Sequence, residues 1–273
     1  MLIAQVTDTH IKPEGCLAYG RVDTAGALAR CVAHLNALLP RPDLMLMTGD
    51  LVDVGVPEEY AMLRRLLGPL EIPVYVIPGN HDDRRALREA FADHVYLPRD
   101  GEFLQYVVDE YPVRLIGLDT TVPGKPGGLM CERRLAWLEA CLAEEPERPT
   151  LLFMHHPPFL TGLANMDWQN CGNGEALGAV VERYPQVFRI LCGHVHRPIQ
   201  LHWHGVTASI APSPAMYVAY DLRADTRHDF ILEPPACELH YWRPGSGLVS
   251  HLTFIGDYGG RFPFYDEQGK LIE

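Results

Sequence analysis

Apolar residues recur along this chain in short blocks that stop abruptly at polar residues able to bind a metal. Residues 2–7 (LIAQVT) predict a buried strand that gives out at Asp8-Thr9-His10. A loop with Gly, Pro and Tyr follows. Asp23 then precedes Ala25, Leu28, Val32, Leu35 and Leu39, whose spacing predicts an amphipathic helix. Residues 43–47 (DLMLM) predict a second strand, ending at Thr48-Gly49-Asp50. Pro57-Glu58 opens a helix to Leu67 that closes at Gly68-Pro69. Residues 74–77 predict a third strand, ending at Pro78-Gly79-Asn80-His81, and Asp82 or Asp83 caps a helix over 84–91.

The alternation continues with strands over 104–109 and 114–118 and a helix over 132–143 carrying a Leu135–Leu138–Leu142 stripe. A strand over 151–154 ends at His155-His156, residues 160–174 read as a loop, and 175–184 as a helix. A strand over 188–192 ends at Gly193-His194-Val195-His196. Beyond it the pattern turns β-rich, over 199–203, 206–210, 238–242 and 249–255. The first half predicts an α/β fold with a largely parallel sheet, and the later runs predict a second, mixed sheet. Residues 1–216 form the expected catalytic domain. Residues 217–273, β-rich and aromatic, read as a cap or oligomer contact rather than an independent domain.

With 273 residues, 47% hydrophobic and 21% charged, the chain has the composition of an ordinary globular protein. No stretch approaches the ~20 apolar residues of a membrane span. A net charge of −12 argues against stable nucleic-acid binding. It leaves room for a phosphate substrate where metal ions supply local positive charge. The seven cysteines, odd in number and without a CxxC pair, predict reduced thiols in a cytoplasmic protein. The opening MLIAQVTDTH has no basic stretch ahead of its apolar run and reads as a strand, not a signal peptide.

Candidate chemistry collects at five strand ends: Asp8 and His10, Asp50, Asn80 with His81, His155 with His156, and His194 with His196. In α/β sheets ligands bind beyond the carboxyl ends of the strands, so these ends are expected to converge. Residues i and i+2 of a strand point to one side, which would aim Asp8 with His10 and His194 with His196 at one site. Gly49, Gly79 and Gly193 leave room for sharp turns. A purely N and O donor set suits Mn, Fe, Co or Zn. Two adjacent cations need a bridging anion, and Asp50 is the expected bridge. Each motif alone has an ordinary explanation as a turn or helix cap; the ordered set at five strand ends does not. His202-x-His204 copies the spacing but lies in a later strand and reads as packing, and the Gly172-x-Gly174 run lacks the third glycine of a dinucleotide loop.

The set Asp8-x-His10, Gly49-Asp50, Gly79-Asn80-His81-Asp82, His155 and Gly193-His194-x-His196 resembles the calcineurin-like metallophosphoesterases over roughly residues 1–200. Within that superfamily the chain looks most like the class III cyclic nucleotide phosphodiesterases. Tyr19 to Asp23, the Pro-Glu-Glu-Tyr segment 57–60 and Met-His-His-Pro-Pro at 154–158 make it especially similar to the bacterial glycerophosphodiesterases. The resemblance implies a four-layer α/β/β/α sandwich of two mixed sheets and two metal ions (Fe, Mn, Zn or Co). It implies one ion on Asp8, His10, Asp50 and His196 and the other on Asp50, Asn80, His155 and His194. His155 is preferred over His156 because it directly follows the strand end at Met154; His156 then contacts the substrate or a ligand. His81 would be the catalytic, non-ligand histidine facing the phosphoryl group or leaving oxygen, with Asn80 and Tyr19 as further substrate contacts.

The implied activity is hydrolysis of a small phosphodiester, a glycerophosphodiester or a 3′,5′-cyclic nucleotide, by water deprotonated between the cations. A phosphomonoesterase or nucleotide pyrophosphatase would use the same metals, and a non-catalytic scaffold would be expected to lack ligands that this chain keeps. Met166, Trp168 and Tyr19 are expected to wall the substrate site. The related glycerophosphodiesterases oligomerise through the region holding Tyr241, Trp242, Phe254, Tyr258, Phe262, Phe264 and Tyr265, so a homo-oligomer is expected.

Overall fold

Each of the five apolar blocks that ends in Asp, Asn or His is a strand with nearly every residue buried, as strands covered on both faces should be. The computed structural model describes residues 1–272. Its first half contains β1 (Leu2–Val6), α1 (Thr24–Ala37), β2 (Leu44–Thr48), α2 (Pro57–Leu67), β3 (Val74–Ile77), α3 (Arg84–Ala90), β4 (Tyr106–Val108), β5 (Arg114–Leu118), β6 (Gly128–Leu129) and α4 (Glu132–Glu144). Then come β7 (Thr150–Met154), α5 (Ala164–Asp167), β8 (Cys171–Gly172), α6 (Gly174–Arg183), β9 (Val187–Cys192), β10 (Ile199–Trp203) and β11 (Val206–Ile210). The chain closes with β12 (Tyr217–Val218), β13 (Phe230–Ile231), β14 (Ala236–Arg243) and β15 (Gly247–Phe254). Asp23 and Asp83 cap α1 and α3, accepting the Gly26 and Ala86 amides at 2.8 Å each.

Two sheets stack face to face. One has the order β15-β14-β1-β2-β3, with β1 to β3 parallel; the other has β10-β11-β9-β7-β5-β4, with its four inner strands parallel. Strand alternation sorts the cores. Leu115, Phe153 and Leu191 join the first sheet and α1 to α3, whereas Ile116, Leu152, Met154 and Ile190 pack with Leu138 and Leu142 of α4 and Leu177 and Val181 of α6. The result is the expected four-layer α/β/β/α sandwich. A Cβ at Gly117 would stand 2.8 Å from Phe153 Cζ and 3.0 Å from Ile77 Cγ2, so glycine lets the two sheets close on each other.

The late strands do not form one sheet of their own, as the sequence pattern suggested. β10 and β11 extend the second sheet, while β14 and β15 return to the first, where β14 pairs antiparallel with β1 from Leu2↔Tyr241 to Gln5↔Glu238. Without β14, the N–H and C=O groups on that side of β1 would be buried and unpaired. The expected loop 160–174 contains α5 and β8, both too short to carry an apolar period. All seven cysteines are free thiols. Among the described residues no helix is long and apolar enough to cross a membrane.

Glu238, 3% exposed, faces His240 on its own strand at 3.5 Å and the charge of Arg189 on β9. Burial lifts its carboxyl to about 7, against the pull of Arg189. A raised carboxyl favours folding fully below its unfolded value and loses that contribution as pH rises toward 7. Glu238→Gln is therefore expected to stabilise the protein above pH 7, by at most about 3 kcal/mol. The difference in Tm between variant and wild type should widen from pH 5 to pH 8; a constant difference would show that Glu238 titrates normally.

Candidate metal centre

Asp8 and His10 follow β1, Asp50 follows β2, Asn80 and His81 follow β3, His155 follows β7, and His194 and His196 follow β9. All lie beyond the carboxyl ends of parallel strands, drawn from both sheets. The structure brings them together. His10 Nε2 lies 3.6 Å from Asp50 Oδ2 and 3.2 Å from His196 Nε2, which is 3.4 Å from Asp8 Oδ1. His155 Nε2 lies 3.3 Å from Asp50 Oδ1 and 3.2 Å from Asn80 Oδ1. The His194 ring packs 5.1 Å from that of His155, centroid to centroid.

Strand alternation is not what aims these side chains. Asp8, His10, Asp50, His194 and His196 lie past their strands with φ of 53°, 42°, 47°, 74° and 56°. Left-handed backbone is unfavourable for residues with a Cβ, at roughly 1–3 kcal/mol each, and such strain gathers at functional sites. It persists here because neighbouring loops hold it. The amides of Asp8 and His10 donate to the carbonyls of Gly49 and Asp50, the His194 amide to the Asp8 carboxylate, and the His81 amide to Asp50 Oδ1.

Hydrogen bonds fix which ring nitrogens face inward. His155 and His196 donate from Nδ1 to the carbonyls of Thr48 (2.8 Å) and Met216 (3.1 Å), which turns their Nε2 atoms toward the carboxylates. His194 Nε2 is buried without a hydrogen-bond partner. His156 lies close by and its ring also groups with those of His155 and His194, with Nε2 3.1 Å from the Pro126 carbonyl and Nδ1 2.7 Å from the Thr120 hydroxyl. His81 donates from Nδ1 to the Asp53 carbonyl at 2.6 Å, and its Nε2 stands 4.0 Å from Asp50.

Burial keeps the imidazoles of His10 and His194 below their ordinary value and holds His196 at about 4, so these rings stay neutral, as a metal ligand must. Burial lifts Asp8 to about 6. Burial alone would also lift Asp50, but the neighbouring charges of His155 and His81 hold it well below the carboxylate range. Burial alone would lower His155, but Asp50 and Asp8 bring it up to about 9. Buried carboxylate oxygens meet here with two ring nitrogens that have no hydrogen-bond partner, His10 Nδ1 and His194 Nε2, a donor set that suits divalent cations. Asp8, His10 and His196 form one group able to hold an ion; Asp8, Asp50 and His155 form an adjoining one.

Three residues here carry no obvious sequence signal. Asp53, 3.5 Å from His10 Nδ1, steers both His10 and His81. Glu59 accepts the amides of Val54 and Gly55 at 2.9 and 3.1 Å, and Tyr60 donates to Asp82, which accepts the amides of Leu51 and Gly79. The segment noted only for its likeness, Pro-Glu-Glu-Tyr, thus clamps the loops carrying Asp50 and Asn80. The motif acid Asp82 is the knot between them.

A cavity of about 930 Å³ opens over the cluster. His81 and Asn80 floor it, and Tyr19, Met166, Met216 and Phe230 wall it, the Tyr19 and Phe230 rings 5.3 Å apart. Trp168, expected in this wall, faces a different hollow; its indole N–H donates to the Asn165 carbonyl at 2.9 Å. His228 and Phe230 escaped the sequence reading because β12 and β13, too short to show a pattern, bring the tail back over the cavity, and Arg21 because it is an unspecified position within the Tyr19 to Asp23 segment.

The calcineurin-like phosphoesterase family model matches residues 1–198. The chain belongs to the calcineurin-like phosphoesterase family. It is 43% identical to a probable glycerophosphodiester phosphodiesterase of Arcobacter nitrofigilis over the whole of both chains. It is also 33% identical to a 3′,5′-cyclic adenosine monophosphate phosphodiesterase of Escherichia coli, over 77% of this chain and 75% of that one. Its fold is similar to that of a dimetal phosphatase from Danio rerio, with a TM-score of 0.65 and 15% identity over 94% of this chain and 99% of that one. The calcineurin-like phosphoesterases are hydrolytic enzymes that use divalent metals, in keeping with the clustered donors.

Proposed function

We propose that the chain hydrolyses small phosphodiesters, glycerophosphodiesters first among them, at a site that holds two divalent cations. The observation that carries this reading is the placing of Asp50, with one carboxylate oxygen toward His10 and the other toward His155. One position would draw on Asp8, His10, Asp50 and His196, and the other on Asp50, Asn80, His155 and His194. Such ions, from Fe, Mn, Zn or Co, supply positive charge to the phosphoryl oxygens and lower the pKa of water toward neutrality.

The chain's own residues do the rest. Asn80 and His81 floor the cavity and present an amide and a ring nitrogen to the phosphoryl oxygens. Anchored at Nδ1, His81 can turn only Nε2 toward the leaving oxygen and is placed to protonate it. Tyr19 walls the diester's alcohol arm. With both nitrogens engaged, His156 supports the 126–128 loop rather than touching substrate. No Ser or Cys lines the cavity among the described residues, which favours direct attack by water over a covalent intermediate.

Glycerophosphodiesters lead because the relative of that name spans all of this chain, whereas the cyclic nucleotide enzyme matches 77% of it. Residues 217–232 serve as a cap on the cavity. Assays on glycerophosphoethanolamine, cAMP, bis(p-nitrophenyl) phosphate and p-nitrophenyl phosphate, with metal analysis of the same sample, test the reading; a strong monoester preference would overturn it. His81→Ala is expected to lower turnover by about 10²- to 10⁴-fold with both metals retained. Loss of metal in that variant would make His81 a ligand.

The free thiols support a reducing, cytoplasmic setting. Exposed Tyr241, Phe254, Tyr258, Phe262, Phe264 and Tyr265 support assembly through the tail, so sizing should return more than the 30.6 kDa of one chain.

A further inference from the structure

We infer that Gln5 is a positioning residue for the metal centre, held in place from the C-terminal hairpin through His240. The inference rests on the two-cation reading above. Gln5 is fully buried in β1, where the surrounding pattern would favour an apolar side chain. Its amide makes three bonds. Nε2 donates to the Thr48 hydroxyl at 3.1 Å and to the Cys192 carbonyl at 2.9 Å; Oε1 accepts from His240 Nε2 at 3.0 Å. Both amide protons are used, and the His240 bond fixes which end of the amide faces the strands. His240 is oriented in turn by Ser250, which donates to Nδ1 at 2.7 Å and accepts from Arg189 at 3.0 Å.

Thr48 and Cys192 are the last residues of β2 and β9, one in each sheet, and Asp50 and His194 stand two residues further on. The Thr48 carbonyl is also the anchor of His155. The two sheets meet here without slack: a Cβ at Gly193 would lie 2.1 Å from Thr7 Oγ1 and 2.8 Å from the Thr48 carbonyl. One amide therefore joins three strand ends that carry Asp8 with His10, Asp50, and His194 with His196. Groups that orient metal ligands change metal affinity even though they never touch the ion. An apolar side chain could fill the same volume, but it could not set the spacing of the two sheets by directed bonds.

The test is stepwise Mn²⁺ affinity, by competition with a fluorescent chelator, in wild type, Gln5→Leu, Gln5→Met, Ser250→Ala and Ser209→Ala, with near-UV circular dichroism to confirm folding. Gln5→Leu and Gln5→Met are expected to weaken the looser Mn²⁺ step by about 10- to 100-fold and to shift the visible absorption of the Co²⁺-loaded protein. Ser250→Ala should move both readouts the same way by less. Ser209→Ala, which loses only a bond from Arg189, should leave both affinities within about twofold. Folded Gln5 variants with lowered Tm but wild-type affinities and Co²⁺ spectrum would overturn the inference and leave Gln5 purely structural. Should neither Gln5 variant fold, unchanged readouts in Ser250→Ala overturn it. A wild type that binds fewer than two ions overturns instead the reading on which it rests.

Discussion

Asp50→Asn is expected to reduce diester hydrolysis by about 10³-fold or more and to strip the protein of both cations. Asparagine keeps the size of the side chain, so the cavity and fold survive. What it loses is the charge. The Asp50 carboxylate faces His10 at 3.6 Å and His155 at 3.3 Å and accepts the His81 amide. Asparagine offers one acceptor oxygen, and its amide hydrogens point at an imidazole lone pair or at a cation. Asp8→Asn is the informative comparison, since the proposed ligand sets give Asp8 to one ion only although its carboxylate also lies near Asp50 and His155, and it should cost mainly that ion. Metal content and kcat/KM on bis(p-nitrophenyl) phosphate decide the matter. An Asp50→Asn protein that keeps two ions and a tenth of its activity would refute the shared carboxylate.

Gly79→Ala is expected to be nearly as damaging although it adds a single methyl group. Its Cβ would lie 2.2 Å from the Asp50 backbone nitrogen and 2.2 Å from Asp50 Oδ1. Neither atom belongs to a flexible tip that can swing aside, so the loop carrying Asn80 and His81 must move away from the one carrying Asp50. Overpacking of this kind costs about 1–3 kcal/mol. Activity should fall by about 10²-fold, because an ångström of misplacement is enough to do so. Gly101→Ala provides the contrast: nothing lies within 4 Å of its Cβ, and only a left-handed φ of 87° opposes the change. Measured side by side, Gly101→Ala should lose some Tm but keep its turnover. Equal losses of turnover in the two variants would mean that close approach at Gly79 is unimportant.

The sequence was most legible where chemistry and strand coincide. Asp8, Asp50, His155 and His194 each close an apolar block, and such blocks in a parallel sheet must end on one side. It was less legible where geometry depends on distant partners. The left-handed φ of Asp8 and His10 is set by the neighbouring loop at 49–52, so the strand periodicity that suggested their common aim gave the right place for the wrong reason. Glu59 acts by holding backbone amides, Tyr60 by holding Asp82, and Asp53 by facing His10 with its carboxylate and His81 with its carbonyl, and no spacing rule marks a residue for those tasks. Trp168 had the composition of a substrate wall but follows a short helical turn outward. β14 could be recognised as a strand, yet its place beside β1 could not, because pairing across nearly the whole chain leaves no local trace.

That last pairing has a consequence for how the enzyme comes into being. The strand leading to Asp8 and His10 leaves the ribosome long before its neighbour around Tyr241. Contacts of such long sequence separation form late and slowly. The sheet that carries the cluster is therefore completed only after β14 and β15 have been made, and a chain stopped short of that hairpin would expose the bare edge of β1 to any strand that met it.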